Sequence, residues 1–409
     1  MISISCERRF PQVQDLPVQH ELPDPFKMLD GTPIRTKEDW LNKRRPELKL
    51  LFQHYVYGYL PPKPPLEITI QKLDTMVFKG LATYKEVVLN LELPANQSHS
   101  MHMSVFIPNE HSGPVPIFVA LNACGNHTLT EYEGISVVEH PWQRSSCVKK
   151  YAKRGSRAEF WAVENIIRRG YALTTFCVAA MDPDRHDWTD GIHAKYHYAP
   201  EGEETQWGTL AAWAWGIHRV IDYLETDTDI DQDRICATGW SRRGKAALFA
   251  AAMDERIDLV IPHQSGTGGM ALSRMEPEES VARINQSFPH WFNDNFASFD
   301  TAVSRLPVDQ HLLIALVAPR PLLDCAGLQD TWASPHLALE AMKAAAPVYE
   351  LLGESGIVGQ GFAVNGIRDV DMGRMLQLQR DTEHTLNMDY WNAMMDFADR
   401  QLPKTVSGE

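Results

Sequence analysis

The sequence predicts an α/β fold, built on a mixed, mostly parallel sheet with helices on both faces. From Pro116 onward, apolar strand patterns alternate with helix patterns, and this alternation is typical of a parallel sheet covered on both sides. Before Pro116, three segments with period-two patterning predict antiparallel strands that begin the same sheet. Further along, a short apolar strand breaks at Gly239 and leads through Ser241 into an Ala-rich helix.

Residues 1–35 are rich in proline and lack periodicity, so we expect an N-terminal arm followed by one α/β domain, residues 36–409. Thr36 should cap a helix that restarts at Pro46 and continues over 48–57. The predicted strands are 66–71, 83–93, 102–107, 117–121, 172–178, 235–238, 259–262 and 321–326. The predicted helices are 159–169, 205–224, the one after Ser241, and a C-terminal helix whose apolar face carries Trp391, Met394, Met395, Ala398 and Leu402.

Composition restricts the class of protein and its partners. The chain has 409 residues, 44% of them hydrophobic and 22% charged, which is typical of a soluble globular protein. The formal charge of −14 argues against nucleic-acid and anionic-membrane partners, which require a basic surface. The apolar runs are too short to cross a bilayer, and no signal peptide is visible over Met1–Phe10. We expect a monomer.

The six cysteines are widely spaced and form no C-x-x-C pair. This spacing predicts no metal site and supports no disulfide framework. Cys177, Cys236 and Cys325 lie in apolar strand-like runs and are interpreted as buried core thiols. In the helix 205–224, Trp213 and Trp215 are likewise interpreted as core residues.

The segment Gly239–Gly244 indicates a nucleophile elbow. Its order is Gly-Trp-Ser-Arg-Arg-Gly, one residue longer than the usual Gly-x-Ser-x-Gly turn, which strains a serine so that its hydroxyl is exposed above the sheet. The N–H groups of the following helix face a developing oxyanion. An ordinary glycine-punctuated turn is the alternative. The strand before Ser241 and the helix after it favour a nucleophile.

A serine nucleophile requires a base and an acidic group that orients the base. In α/β-hydrolases the acid follows a late strand and the histidine lies near the C-terminus. Asp330 lies four residues past the late strand 321–326, whereas Asp324 lies within it and is the weaker candidate. His384 is the last histidine and precedes the C-terminal helix. His311 and His336 remain alternatives.

Two cations follow the serine, Arg242 and Lys245. Cations near a helix N-terminus cost about 0.3–1 kcal/mol each, so their placement indicates that an anion is expected there, either a developing oxyanion or a substrate carboxylate. The alternative is a pair of solvated side chains. The segment 122–127 follows an earlier strand and is a candidate source of a second oxyanion N–H.

Several motifs in one order resemble the glucuronoyl esterases, carbohydrate esterase family fifteen, and are most similar to its bacterial branch. The Gly-x-Ser-Arg-x-Gly-Lys signature matches at Gly239–Lys245. The resemblance covers roughly residues 36–400 and includes the segments 122–128, 207–225, 265–269, 288–292, 306–311, 318–321 and 330–332.

The resemblance implies an α/β-hydrolase fold and hydrolysis of the ester between 4-O-methylglucuronate on xylan and a lignin alcohol, without metal or organic cofactor. It implies a secreted or periplasmic enzyme. The roles it carries over are Ser241 as nucleophile, His384 as base, Arg242 as oxyanion stabiliser, and Lys245, Glu279 and Trp332 as substrate-binding residues. Trp291 is a further candidate for stacking on a sugar, with a packing role as the alternative.

Residue 264 departs from the family pattern. Many members have the catalytic acid in a Glu-Ser-Gly segment, and this chain has Gln264-Ser265-Gly266. Glutamine carries no charge to stabilise an imidazolium, so Asp330 is predicted to act as the acid. Two alternatives are an esterase for acetyl-xylan or small aryl esters and a non-catalytic carbohydrate-binding homologue. The segments 140–157 and 357–380 resemble insertions that affect access to the cleft.

Overall fold

The computed structural model describes residues 10–138, 147, 150–355, 359–364 and 367–403. Within them, one sheet has the strand order β1-β2-β3-β5-β4-β6-β7-β8-β11-β10-β9. The strands are β1 Leu66–Met76, β2 Ala82–Leu93, β3 Gln97–Pro108, β4 Val115–Asn122, β5 Ala172–Cys177, β6 Ile230–Trp240, β7 Leu259–His263, β8 Leu322–Gly327, β9 Gly359–Val364, β10 Ile367–Met372 and β11 Met375–Arg380.

The sheet is parallel in its centre and antiparallel at both sides. Strands β5, β4, β6, β7, β8 and β11 pair in parallel. Strands β1, β2 and β3 pair antiparallel, as β3 does with β5, which confirms the predicted antiparallel start. The carboxyl ends of β6, β7 and β8 therefore meet at one edge, where ligand sites of open α/β sheets lie.

The segment 357–380, which resembled an insertion, extends this sheet. Strands β9, β10 and β11 form two antiparallel pairs, and β11 joins β8 in parallel. Residues 357, 358, 365 and 366 lie outside the described residues. Leu376 and Leu378 alternate with Gln377 and Gln379, a period-two pattern that predicts a strand and that the sequence analysis missed.

Helices cover both faces. The α-helices are Lys37–Asp39, Arg45–Phe52, Val77–Gly80, Ala158–Trp161, Val163–Arg168, Thr209–Leu224, Arg242–Met253, Val281–Ser287, Asp294–Ala297, Gln310–Val317, Pro335–Leu351 and Met388–Gln401. None of the described helices is long and apolar enough to cross a membrane.

Local chemistry explains where the helices begin and break. Thr36 accepts a hydrogen bond from the Asp39 N–H at 3.1 Å, which confirms the predicted cap, and Pro46 lies in the first turn of the helix Arg45–Phe52. The predicted helix 159–169 is interrupted because Ala162 adopts a left-handed conformation with φ of 48°. The predicted helix 205–224 begins only at Thr209, after the cap residue Gly208.

The core has two parts, one on each face of the sheet. One contains Trp213 and Trp215, and the other contains Trp391, Met394, Met395 and Ala398, which confirms their prediction as buried residues. Leu402 is only partly buried at the edge of the second part. The predicted core thiols are also buried, namely Cys177, Cys236 and Cys325.

The described part of the N-terminal segment lies against the rest of the chain. Leu16 is fully buried, and the Tyr55 hydroxyl donates to the Pro11 carbonyl at 2.6 Å. The Ser304 carbonyl accepts from the Gln19 N–H at 2.6 Å. The division into an arm and one domain remains a prediction.

A disulfide joins Cys124, just after β4, to Cys147. The sequence spacing did not indicate this pair, because the two cysteines are 23 residues apart and their proximity depends on the tertiary course of the chain. Within the segment 140–157, residues 140–146, 148 and 149 lie outside the described residues. The disulfide fixes Cys147 beside the carboxyl edge of the sheet.

Candidate active site

Ser241 lies on a strained turn between β6 and the helix Arg242–Met253. Its backbone has φ of 63° and ψ of −132°, a region that costs a non-glycine residue about 1–3 kcal/mol. Gly239 and Gly244 flank the turn because neighbouring backbone atoms leave no room for a side chain at either position. A Cβ at Gly239 would lie 2.3 Å from the Arg243 carbonyl oxygen, and one at Gly244 would lie 2.7 Å from the Gly239 carbonyl oxygen. The predicted elbow geometry is therefore present.

His384 and Asp330 meet at the carboxyl edge of the sheet. The distance from His384 Nδ1 to Asp330 Oδ2 is 2.5 Å, and Asp330 Oδ1 accepts the Ala333 N–H at 3.3 Å. The Asp330 side chain is 5% exposed and that of His384 is 35% exposed. A carboxylate on Nδ1 holds the proton there and leaves Nε2 as the basic nitrogen of the neutral ring.

The serine and the histidine line one cleft. Its lining residues are Ser241, Arg242, Lys245, Gln264, Ser265, Gly266, Glu279, Phe288, Trp291, Trp332, Ala333 and His384. Asp330 is buried and joins the site through its contact with His384 Nδ1. The structure thus brings together all eight residues that the sequence analysis proposed for the site.

Arg242 is held at the cleft by contacts that the sequence analysis missed. Its Nη1 donates to Asp184 Oδ2 at 2.8 Å, and its guanidinium lies 4.6 Å from the Phe288 ring centroid and 4.4 Å from that of Trp291. The Trp291 Nε1–H donates to Asp184 Oδ1 at 2.9 Å. Asp184 follows β5. Its position beyond a strand end is the one sequence signal that could have placed it in the site.

Lys245 forms a buried ion pair with Glu279. The distance from Nζ to Glu279 Oε2 is 2.7 Å, and Nζ also donates to the Thr267 carbonyl at 2.5 Å. Burial lowers the pKa of Lys245, and Glu279 opposes that shift. Since Lys245 and Arg242 each face a carboxylate, the interpretation that they await a substrate carboxylate is not supported, and a developing oxyanion remains for Arg242.

The two tryptophans of the cleft differ in exposure. Trp332 is 38% exposed, whereas Trp291 is 1% exposed. Trp291 stacks on Phe288 with ring centroids 3.8 Å apart and donates to Asp184. The geometry therefore favours the packing role for Trp291 and leaves Trp332 as the aromatic surface on which a sugar can stack.

The alternative candidates lie elsewhere. His311 is buried and bonded through Nε2 to the Pro23 carbonyl at 2.8 Å, and His336 is exposed in the helix Pro335–Leu351; neither lines the cleft. The segment 122–127 does not line it either, and its Gly125 N–H already donates to Asn122 Oδ1 at 2.9 Å. The expected second oxyanion donor is therefore not supported at this position.

Asp324, the weaker candidate for the acid, is buried in β8. Its Oδ2 accepts from Gln377 Nε2 at 2.9 Å, and burial raises its pKa to about 7. It does not contact His384, because alternate residues of a strand point to opposite faces and Asp324 lies before the strand end.

Replacing Asp324 by asparagine should stabilise the fold in a pH-dependent manner. The folded-state pKa of about 7 lies above the ordinary value of 3.8, so between these values the unfolded chain releases a proton that the folded chain keeps. The wild-type free energy of unfolding should therefore fall across that window, by roughly 1.4 kcal/mol for each pH unit. Urea unfolding of both proteins at several pH values measures the difference. A difference that does not change with pH would contradict this assignment.

Within the described part of the chain, no group of three or more His, Cys, Asp or Glu side chains is arranged to hold a metal ion.

Comparison with known proteins agrees with this geometry. A family profile described as glucuronyl esterase of fungi matches residues 162–353, which include Ser241 and Asp330. A carbohydrate esterase from an unknown prokaryotic organism, MZ0003, is 36% identical over 94% of this chain and 90% of its own length. A 4-O-methyl-glucuronoyl methylesterase from Phanerochaete carnosa is 31% identical over 81% of this chain and 72% of its own.

Two solved structures are similar over nearly the whole chain. A promiscuous esterase of carbohydrate esterase family 15 from a marine bacterial metagenome superposes with a TM-score of 0.85 at 36% identity, covering 96% of this chain and 99% of its own. A glucuronoyl esterase from Solibacter usitatus superposes with a TM-score of 0.83 at 30% identity, covering 95% and 100%. This similarity confirms the α/β-hydrolase fold. The chain belongs to carbohydrate esterase family 15, the glucuronoyl esterases.

Proposed function

We propose that this protein is a serine esterase that cleaves the ester between 4-O-methylglucuronate of glucuronoxylan and a lignin alcohol. The observation that carries the proposal is the hydrogen bond of 2.5 Å between His384 and Asp330, beside a serine held at φ of 63° in the same cleft. Family membership supports the substrate class, since the relative from Phanerochaete carnosa is described as a 4-O-methyl-glucuronoyl methylesterase and that from Solibacter usitatus as a glucuronoyl esterase. The same geometry argues against a non-catalytic homologue, because a binding protein requires no strained serine beside an imidazole–carboxylate pair.

The mechanism is a two-step acyl transfer. His384 Nε2 takes the proton of the Ser241 hydroxyl as the serine oxygen attacks the uronate carbonyl carbon. The carbonyl oxygen becomes an oxyanion, which the Arg242 guanidinium and N–H groups at the helix start stabilise. The tetrahedral intermediate expels the alcohol, which receives the proton from His384. Water then attacks the acyl-enzyme by the same route and releases glucuronate and free Ser241.

Substrate recognition fits a neutral sugar ester. The carboxyl group of the uronate is esterified, so the bound ring carries no charge, and the site offers paired charges in place of an unpaired cation. Lys245 and Glu279 fix each other at 2.7 Å and present hydrogen-bonding groups for ring hydroxyls. Trp332, at the edge of the cleft, supplies an apolar face for stacking.

We further propose that the protein works outside the cytoplasm, as the sequence resemblance implied. The Cys124–Cys147 disulfide supports this location, because disulfides persist in oxidising compartments and are rare in the cytosol.

A second candidate activity is hydrolysis of a wider range of esters. The solved family member that is 36% identical carries the description promiscuous, so acetyl-xylan and small aryl esters remain candidate substrates for this chain. The cleft favours the uronate, since the acetyl group, unlike the uronate ring, carries no hydroxyls for Lys245 and Glu279 to bind.

The substrate comparison tests the two candidates. We expect kcat/KM for the methyl ester of 4-O-methylglucuronic acid to exceed that for 4-nitrophenyl acetate, after correction for leaving-group reactivity, by at least about tenfold, the value of one buried hydrogen bond. Acetylated glucuronoxylan serves as the polymeric control, with released acetate as the readout. Release of acetate at the higher rate would favour the wider esterase, and no hydrolysis of any ester would contradict the enzymatic proposal.

A further inference from the structure

Two side chains at the end of β7 bind the backbone of the loop that carries His384. Gln264 Nε2 donates to the Glu383 carbonyl at 3.0 Å, and Gln264 Oε1 accepts the Thr385 N–H at 2.9 Å. The Thr385 carbonyl lies 2.6 Å from His263 Nε2. The peptide groups on both sides of His384 are therefore held by neighbouring residues of one strand end.

Gln264 is itself rigidly placed. It is 4% exposed, adopts φ of 46°, and its N–H donates to the Cys325 carbonyl of β8 at 3.1 Å. Its Oε1 accepts a further hydrogen bond from Trp240 Nε1 at 3.2 Å. The neighbouring strand leaves room for it, since a Cβ at Gly327 would lie 2.1 Å from Gln264 Nε2.

His263 supplies the third bond as a neutral donor. It is fully buried, its ring packs on Tyr390 with centroids 4.5 Å apart, and burial lowers its pKa to about 3. A neutral imidazole has one N–H, and the Thr385 carbonyl can only accept, so the proton lies on Nε2.

The amide suits this position because it donates and accepts at once. The Glu383 carbonyl requires a donor, whereas the Thr385 and Trp240 N–H groups require an acceptor. A glutamate would offer acceptors alone and would direct an oxygen at the Glu383 carbonyl. The same Trp240 ring lies against the His384 imidazole, with centroids 4.6 Å apart, so Gln264 fixes the backbone of His384 and the ring beside it.

We propose that Gln264 and His263 are positioning residues, which hold the exposed loop Glu383–Thr385 so that the His384 imidazole meets both Asp330 and Ser241. The inference rests on the proposed function of His384 as the base. Asp330 binds only Nδ1 of the ring, and the loop around it is exposed at Glu383 and His384. The hydrogen bonds from Gln264 and His263 therefore fix the direction of the His384 ring, while Asp330 supplies the negative charge that stabilises the imidazolium.

The first test is Gln264→Ala, which removes three side-chain hydrogen bonds at once. We expect kcat to fall by about 10²-fold, the cost of a displacement of about 1 Å in an active site, while KM changes by less than about twofold. Gln329→Ala is the matched control, since Gln329 lies near the same loop, is exposed and donates to Asp381; its kcat should equal that of the wild type.

The second test is Gln264→Glu, which preserves size but replaces the amide donor by a charged acceptor oxygen. At about pH 8, where imidazoles are generally neutral, we expect kcat about tenfold below the wild type, because the carboxylate repels the Glu383 carbonyl. His263→Phe preserves the contact with Tyr390 and lacks the N–H, and it should also lower kcat about tenfold. Thermal unfolding of each variant identifies those that are folded at the assay temperature.

Wild-type kcat in a folded Gln264→Ala variant, or wild-type or higher kcat in Gln264→Glu at that pH, would overturn the positioning role. These outcomes differ from a failure of the proposed function. If Ser241→Ala retains full activity, the serine mechanism is wrong. If Ser241→Ala is inactive and Gln264→Ala is fully active, only the positioning role of Gln264 is wrong.

Discussion

Replacing Ser241 by alanine should lower kcat for the uronate ester by about 10⁶-fold, the loss seen when a serine nucleophile is removed from a catalytic triad. The change removes only the hydroxyl that forms the acyl-enzyme. The backbone strain at φ of 63° is the same for both side chains, so the free energy of unfolding should change little. The rate of acid release from the methyl ester, together with the melting temperature, measures both effects.

Ser287→Ala is the control for this prediction, because Ser287 is exposed at the end of a helix and is not part of the cleft lining. Its rate should match the wild type. A Ser241→Ala variant that retains more than about one thousandth of the wild-type kcat would show that another group attacks the ester, since the oxyanion hole and binding alone supply only part of the acceleration.

Replacing Asp330 by asparagine should lower kcat by about 10⁴-fold. The amide nitrogen can donate to His384 Nδ1, which would place the ring proton on Nε2 and remove the basic nitrogen that faces Ser241. It also removes the charge that stabilises the imidazolium. Asp324→Asn is the matched control, since Asp324 lies in the preceding strand and contacts Gln377; its kcat should stay at the wild-type level. A loss of less than about tenfold in Asp330→Asn would rule out Asp330 as the acid.

The proposed acid Asp330 follows β8, whereas the Glu-Ser-Gly segment of many family members matches residues 264–266, which follow β7. The sheet topology allows an acid at either position. Strands β7 and β8 are parallel neighbours, so their carboxyl ends approach the same imidazole from adjacent positions. Gln264 follows β7 and binds the backbone beside His384, whereas Asp330 follows β8 and binds the ring. We propose that in this chain Gln264 helps to orient the His384 ring and Asp330 stabilises its charge.

Much of this arrangement could be predicted from the sequence, because it depends on local signals. The glycines around Ser241 and the strand and helix on either side are contiguous, and the order Ser241, Asp330, His384 is that of α/β-hydrolases. Period-two and helical patterns likewise located β1 to β8 and the C-terminal helix. The cap residue Thr36 located the start of one helix.

The rest depends on contacts between residues that are far apart in sequence. Asp184 meets Arg242 across 58 positions, and Gln264 meets Thr385 across 121. No local pattern marks such pairs, so the sequence excluded Gln264 as the charged acid without indicating another role for it, and it left the Cys124–Cys147 pairing undetected. For the same reason the sequence did not indicate the carboxylate partners of Arg242 and Lys245, which are Asp184 and Glu279.

The most direct measurement for the proposed mechanism is the rate at which a fluorophosphonate probe modifies the protein, with the labelled residue located by peptide mass spectrometry. We predict a single rapid modification at Ser241, which slows strongly in Asp330→Asn because the probe reports the activated hydroxyl. Modification at another residue, or an equal labelling rate in wild type and Asp330→Asn, would contradict the proposal that His384 and Asp330 activate Ser241.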